Sequence, residues 1–122
     1  MNSHVAVRVL IVDDDKEVRE MFADVLIELG ALAVTAGSVA EARPLLETFR
    51  PAIVMTDVYM PGENGLVMRA EVRNWNPATP VVALTGADQA EVQPDAGFAR
   101  VLRKPVGIET LEAMLKELGG AG

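Results

Sequence analysis

Five short runs of apolar, largely β-branched residues recur along this 122-residue chain, and most of them end abruptly on a charged or hydroxyl side chain. Residues 7–12 read Val-Arg-Val-Leu-Ile-Val and run straight into Asp13, Asp14 and Asp15. Residues 31–36 form a second run, and residues 52–56 a third that delivers Asp57. Residues 80–84 lead into Thr85-Gly86, and residues 100–103 lead into Lys104-Pro105. Runs this short and this apolar are predicted to be strands buried on both faces, as a parallel sheet requires.

Helical spacing fills the intervals. Val18, Met21, Phe22, Val25, Leu26 and Leu29 recur on one stripe that stops at Gly30. Ser38 and Glu41 have the spacing of a capping box, which starts a second helix; Pro44 removes a donor inside it and predicts a kink or a later start. Residues 66–74 form a third helix ended by Asn76-Pro77, and Ile108, Leu111, Met114, Leu115 and Leu118 mark a last helix that stops at Gly119-Gly120. Strands alternating with helices imply right-handed crossovers and a doubly wound α/β domain with helices on both faces of a parallel sheet. One domain is expected over 1–122, with a core at about 7–118 and flexible ends at 1–6 and 119–122.

Composition narrows the chemistry. Half of the residues are hydrophobic and 24% are charged, which suits a globular chain, and no run is long enough to cross a bilayer. With no cysteine and the single His4, thiolate zinc sites, disulfides and histidine clusters are excluded, so metal chemistry must rest on oxygen ligands. Eighteen acidic against eleven basic residues give a net charge of -7, which argues against direct nucleic-acid binding and against anionic membranes. A reduced, cytoplasmic setting is expected.

In a doubly wound sheet, ligands bind beyond the carboxyl ends of the strands, which here carry Asp13, Asp14, Asp57, Thr85 and Lys104. Any one of these alone reads as a solvated loop or helix start, but together they form a constellation. Carboxylates about 4 Å apart repel by about 4 kcal/mol at an effective dielectric of roughly 20, so three of them call for a counter-charge. A hard divalent cation such as Mg²⁺ answers that need with octahedral oxygen ligands. Thr85 and Lys104 are suited to stabilising a transferring phosphoryl group, and Asp57 to acting as its nucleophile. Asp15 is expected to cap the first helix.

The residues Leu10-Ile11-Val12-Asp13-Asp14-Asp15, Thr56-Asp57-Val58-Tyr59-Met60-Pro61 with Gly65, Ala83-Leu84-Thr85-Gly86 and Arg103-Lys104-Pro105 resemble the motifs of a CheY-like response-regulator receiver domain. The likeness runs from about residue 7 to residue 118. It implies a flavodoxin-like, five-stranded parallel sheet in the order 2-1-3-4-5. It also implies that Asp57 accepts a phosphoryl group from a sensor histidine kinase, a phosphotransfer protein or a small phosphodonor. Asp14 would bind Mg²⁺ directly, Asp13 chiefly through water, and the main-chain carbonyl of Tyr59 would be a further ligand. Thr85 and Lys104 would take phosphoryl oxygens, Lys104-Pro105 would be cis, and the Thr85-Gly86 turn would take part in the switch that alters binding to a downstream protein. Chemistry on the domain's own side chain is expected, with no turnover of a free substrate.

Two features depart from the family pattern. Only nineteen positions separate Thr85 from Lys104, and Pro94 interrupts the segment where a fourth helix would run, so that helix is expected to be shortened or disordered. Val101 stands where similar domains usually carry an aromatic switch residue. The alternative is a docking module of the same fold that works without phosphorylation. An aspartyl-phosphate hydrolase is disfavoured, because Tyr59 stands two residues after Asp57 where a second carboxylate would be needed. Elsewhere His4 is expected to be solvated, Trp75 partly packed, Arg103 turned outward, and Met21, Met55, Met68 and Met114 to fill the core, with Met60 in the site loop.

Overall fold

The computed structural model describes residues 6–86, 89, 92–93 and 96–119. In chain order the elements are β1 (Arg8–Val12), α1 (Lys16–Glu28), β2 (Leu32–Ala36), α2 (Val39–Thr48), β3 (Ile53–Asp57), α3 (Gly65–Trp75), β4 (Val81–Thr85), β5 (Arg100–Arg103) and α4 (Ile108–Leu118). The strands form one parallel sheet in the order β2-β1-β3-β4-β5. This is the doubly wound sheet and the strand order expected.

Alternation along the central strands sorts the core into two layers. Val9 and Ile11 of β1, Ile53 and Met55 of β3, and Val82 and Leu84 of β4 pack under Phe22 and Leu26 of α1 and Leu111 and Met114 of α4. Leu10, Val12, Val54 and Val81 face the other way, toward Val39, Ala42 and Leu46 of α2 and Met68 and Val72 of α3. Each such Leu, Ile, Val, Phe or Met side chain, once fully buried, contributes about 1.5–3 kcal/mol.

Helix ends follow the local chemistry. The Asp15 carboxylate accepts the N–H groups of Glu17 and Val18 and so caps α1 as expected, while Gly30 at φ +97° accepts the left-handed turn that ends it. Ser38 Oγ caps α2 by accepting the Glu41 N–H at 3.1 Å, but Glu41 Oε1 reaches back to the Gly37 N–H at 2.7 Å, one residue before the capping-box partner.

Several expectations are corrected. The second helix starts at Val39 and runs through Pro44, so no late start occurs. The proline removes only the bond its own N–H would have donated, and the burial of Val39, Ala42 and Leu46 holds the turns on either side. The fifth strand is not buried on both faces: β5 lies at the sheet edge, and its Val101 is 48% exposed. The other edge strand, β2, is also only partly covered and begins at Leu32 rather than at residue 31. Met21 is 46% exposed instead of filling the core, whereas Met60 of the site loop is buried against the α2–α3 layer. Trp75 packs partly against that layer, with the Arg50 guanidinium 5.7 Å from its ring centre. His4 and most of the segment expected to hold a shortened helix, including Asp88, Glu91 and Pro94, lie outside the described residues. No helix among the described residues is long and apolar enough to cross a membrane.

Candidate functional site

Parallel register brings the strand ends to one edge. Val12 pairs with Thr56 and Asp57 with Leu84, so Asp13, Asp57 and Thr85 emerge side by side where β1, β3 and β4 finish. Asp13 is 0% exposed, Asp57 4% and Thr85 2%, whereas Asp14 faces solvent. One oxygen each of Asp13, Asp14 and Asp57 lie within 4.8 Å of one another. Oxygen donors so spaced, carrying formal negative charge, suit a hard divalent cation of the Mg²⁺ class.

Lys104 enters from the end of β5. Its main-chain N–H donates to the Thr85 carbonyl at 2.7 Å, which ties the last residue of β4 to the lysine backbone. Its Nζ lies 3.1 Å from Asp13 Oδ2 and 3.6 Å from Asp57 Oδ2. The Lys104–Pro105 peptide bond is cis. Burial pulls the ammonium pKa down, but Asp13 and Asp57 outweigh burial and hold it above the ordinary lysine value. At Asp57, burial pushes the carboxyl pKa up and Lys104 pulls it down. Repulsion from Asp13 and Asp14 and the bond from the Tyr59 N–H make smaller opposing contributions, and the balance lies above the ordinary aspartate value.

The surrounding backbone fixes these carboxylates. Asp13 Oδ1 accepts the Asp15 N–H at 2.9 Å, and Arg19 of α1 donates to the Asp13 carbonyl at 3.1 Å. Asp57 Oδ1 accepts the Tyr59 N–H at 3.4 Å, while the Asp57 carbonyl accepts the Thr56 hydroxyl at 3.0 Å. Asn64 caps α3, and the Gly65 N–H returns to the Val58 carbonyl at 3.0 Å, closing the loop beyond Asp57. A Cβ on Gly65 would sit 2.7 Å from both the Asp57 carbonyl oxygen and Val58 Cα, so glycine is the residue that lets α3 approach the strand end.

The structure thus gathers Asp13, Asp14, Asp57 and Lys104 in direct proximity, with Thr85 buried on the adjacent strand and Tyr59 on the loop beside Asp57. Gly86 follows Thr85, and its N–H donates to the Gln89 side-chain oxygen while its carbonyl accepts from Arg103. Arg103 is exposed, as expected of a side chain turned outward. Two contributions were not read from the sequence: the grip of Arg19 on the Asp13 carbonyl, and the close approach at Gly65. The first has a signal in a basic residue one turn into the helix that follows the acidic loop. The second has none beyond the glycine itself.

The family model described as "Response regulator receiver domain" matches residues 9–116. Response regulator MprA of Mycobacterium sp. (strain KMS) is 35% identical over 115 residues, covering 92% of this chain and 50% of that protein. MprA of Mycobacterium tuberculosis (strain ATCC 25177 / H37Ra) is 32% identical over 117 residues, covering 93% and 51%. The chain therefore spans about half the length of the curated relatives it matches. Among solved structures, the chemotaxis protein CheY4 of Vibrio cholerae superposes with a TM-score of 0.81 at 28% identity, covering 93% of this chain and 99% of that one. A putative response regulator from Chloroflexus aurantiacus gives 0.84 at 28% identity, covering 93% and 98%. Matched by the family model over nearly all of its length, and carrying the family's strand order, this chain belongs to the response-regulator receiver domains of two-component signalling.

Proposed function

We propose that the domain takes a phosphoryl group onto Asp57 and thereby changes its affinity for a downstream protein. The observation that carries this reading is the setting of Asp57. It is a nearly buried carboxylate at a strand end, with an ammonium 3.6 Å away and two further carboxylates within 4.8 Å.

The chemistry follows from those neighbours. An Asp57 oxygen attacks phosphorus, a new P–O bond forms, and the bond to the donor's leaving group breaks; with a phosphohistidine donor that bond is P–N, and the departing imidazole takes up a proton. Lys104 favours the ionised form of the attacking carboxylate, offsetting part of the burial that raises its pKa, and is in reach of the phosphoryl oxygens once the acyl phosphate has formed. The Thr85 hydroxyl, at the end of the adjacent strand, supplies a second donor to the same group. Asp13, Asp14, Asp57 and the Tyr59 main-chain carbonyl are the groups that would hold Mg²⁺, which when bound offsets the negative charge shared by the carboxylates and the phosphoryl oxygens. Asp13 is anchored for this role by the Asp15 N–H.

The domain modifies its own side chain and turns over no free substrate. Its donors are a sensor histidine kinase, a phosphotransfer protein or a small phosphodonor, and its setting is the cytoplasm. With valine at position 101, the signal passes without an aromatic rotamer, through the Thr85-Gly86 turn and the exposed edge at β5. The test is intact mass after incubation with acetyl phosphate, with and without Mg²⁺. One phosphoryl adduct that needs Mg²⁺ and is absent from Asp57→Asn is expected. A folded protein that acquires no adduct from acetyl phosphate or from a kinase would overturn the reading.

A further inference from the structure

At the opposite end of the sheet, away from Asp57, a cleft of about 270 Å³ opens between α3, the loop that leads into β4 and the residues that precede β5. Arg69, Arg73, Thr79, Pro80, Gly97 and Phe98 are among its walls. The Nε and Nη1 atoms of Arg69 are buried and have no hydrogen-bond partner among the described residues. Arg73 makes no ion pair among the described residues. The chain's other six arginines each have an acceptor: Arg8, Arg19 and Arg103 on main-chain carbonyls, and Arg43, Arg50 and Arg100 on glutamates. Two arginines in one cleft without an acceptor among the described residues are therefore an exception in a molecule of net charge -7.

The fold makes room for this guanidinium. Gly97 adopts φ +93°, and a Cβ there would lie 2.9 Å from Arg69 Nη1 and 3.1 Å from Cζ. Neighbouring Phe98 packs against the α2–α3 core layer and fixes the wall. A buried guanidinium donor left without an acceptor is expensive, and Arg69 and Arg73, one helical turn apart on the same face, repel each other. An anion held in the cleft offsets the repulsion between the two guanidinium groups. A guanidinium is a planar fork that matches the paired oxygens of a carboxylate or a phosphate, and the Thr79 hydroxyl adds a neutral donor. The cleft is small by the standards of ligand sites, and the molecule's net negative charge repels extended polyanions.

We propose that Arg69 and Arg73 form a binding site for a single oxyanion group, a phosphate or a carboxylate, carried by a small free anion or by an acidic side chain of a partner protein. The site is separate from the phosphoryl-transfer chemistry, so its test is made on ¹⁵N-labelled Asp57→Asn protein without Mg²⁺. The arginine Nε–H resonances are followed during titration, at constant ionic strength, with sodium phosphate, sodium glutarate and a short glutamate-containing peptide. A saturable shift of the Arg69 resonance is expected with at least one probe, while that of Arg8, bonded to the Arg50 carbonyl, stays still. The exposed Arg73 can be changed to glutamine without disturbing the core, and Arg73→Gln is expected to weaken binding at least about tenfold. Strongest binding of phosphate identifies a phosphate or phosphate ester as the ligand; strongest binding of the peptide identifies a partner's side chain. No saturable shift with any probe, or affinity unchanged in Arg73→Gln, would overturn the proposal.

Discussion

Replacing Lys104 with methionine keeps the length of the side chain and removes the ammonium that faces Asp13 and Asp57. At 3.1 Å and 3.6 Å, each of these attractions is worth about 5 kcal/mol at an effective dielectric of roughly 20. Part of that is offset by the cost of desolvating the ammonium, whose side chain is only 22% exposed. Asp13 is buried, so it recovers little hydration once the lysine is gone. Breaking a buried pair from one side costs about 3–5 kcal/mol, and the solvent-facing edge of this site places the expected loss at about 3 kcal/mol, or about 10 °C in melting temperature. Urea denaturation followed by the fluorescence of Trp75, the only tryptophan, measures it. Three further results are expected. The loss shrinks by at least about 1 kcal/mol in the Asp57→Asn background, because one of the two stranded charges is then absent. Millimolar Mg²⁺ stabilises Lys104→Met more than the unmodified protein. Acidification also recovers stability in Lys104→Met, because losing the lysine raises the Asp57 pKa further and protonation then relieves the buried charge. Stability at pH 7 within about 0.5 kcal/mol of the unmodified protein, or the same loss with and without Asp57, would refute the electrostatic account.

Other substitutions test separate parts of the argument. Gly65→Ala places a methyl 2.7 Å from two backbone atoms, and is expected to cost about 1–3 kcal/mol in urea denaturation and to slow phosphorylation by acetyl phosphate. An unchanged rate would show that the approach of α3 does not position the Asp57 loop. Asp57→Asn is expected to raise the melting temperature at pH 7. The sign comes from the raised Asp57 pKa: the ionised carboxyl is less favourable in the fold than in the unfolded chain, a handicap absent at low pH and developed as pH rises through the folded value. The gain therefore fades as pH falls through that value, and a gain that grew on acidification would contradict the assignment.

The parts of the fold that were legible are those that local pattern controls. Residues 7–12, 52–56 and 80–84 announce the three central strands because each is covered on both faces, and their polar last residues announce the site edge. The fifth strand departs from that pattern for the converse reason. Arg100 and Arg103 bracket two apolar residues, and the strand sits at an edge where charge is tolerated. Pro44 shows local propensity overruled by packing, since the α2 stripe buries enough apolar surface to outweigh one missing bond. Met21 lies on the α1 stripe by spacing, yet none of the described elements covers that part of the helix closely enough to bury it. Asp13, Asp57, Thr85 and Lys104 could be gathered on paper because doubly wound topology fixes where strands end. The 2.7 Å approach at Gly65, the Arg19 bond to the Asp13 carbonyl and the burial of Arg69 depend on how distant segments meet, and no spacing rule carries that information.

Three carboxylates share the site, so the central claim turns on which of them carries the phosphoryl group. Treating the acetyl-phosphate-labelled protein with borohydride, which reduces an acyl phosphate to the corresponding alcohol, and mapping the peptides by mass spectrometry locates that residue directly. The account predicts a reduced side chain at position 57 alone, dependent on Mg²⁺ during labelling. Reduction at Asp13 or Asp14, or a phosphoryl group that survives borohydride on a hydroxyl side chain, would contradict it.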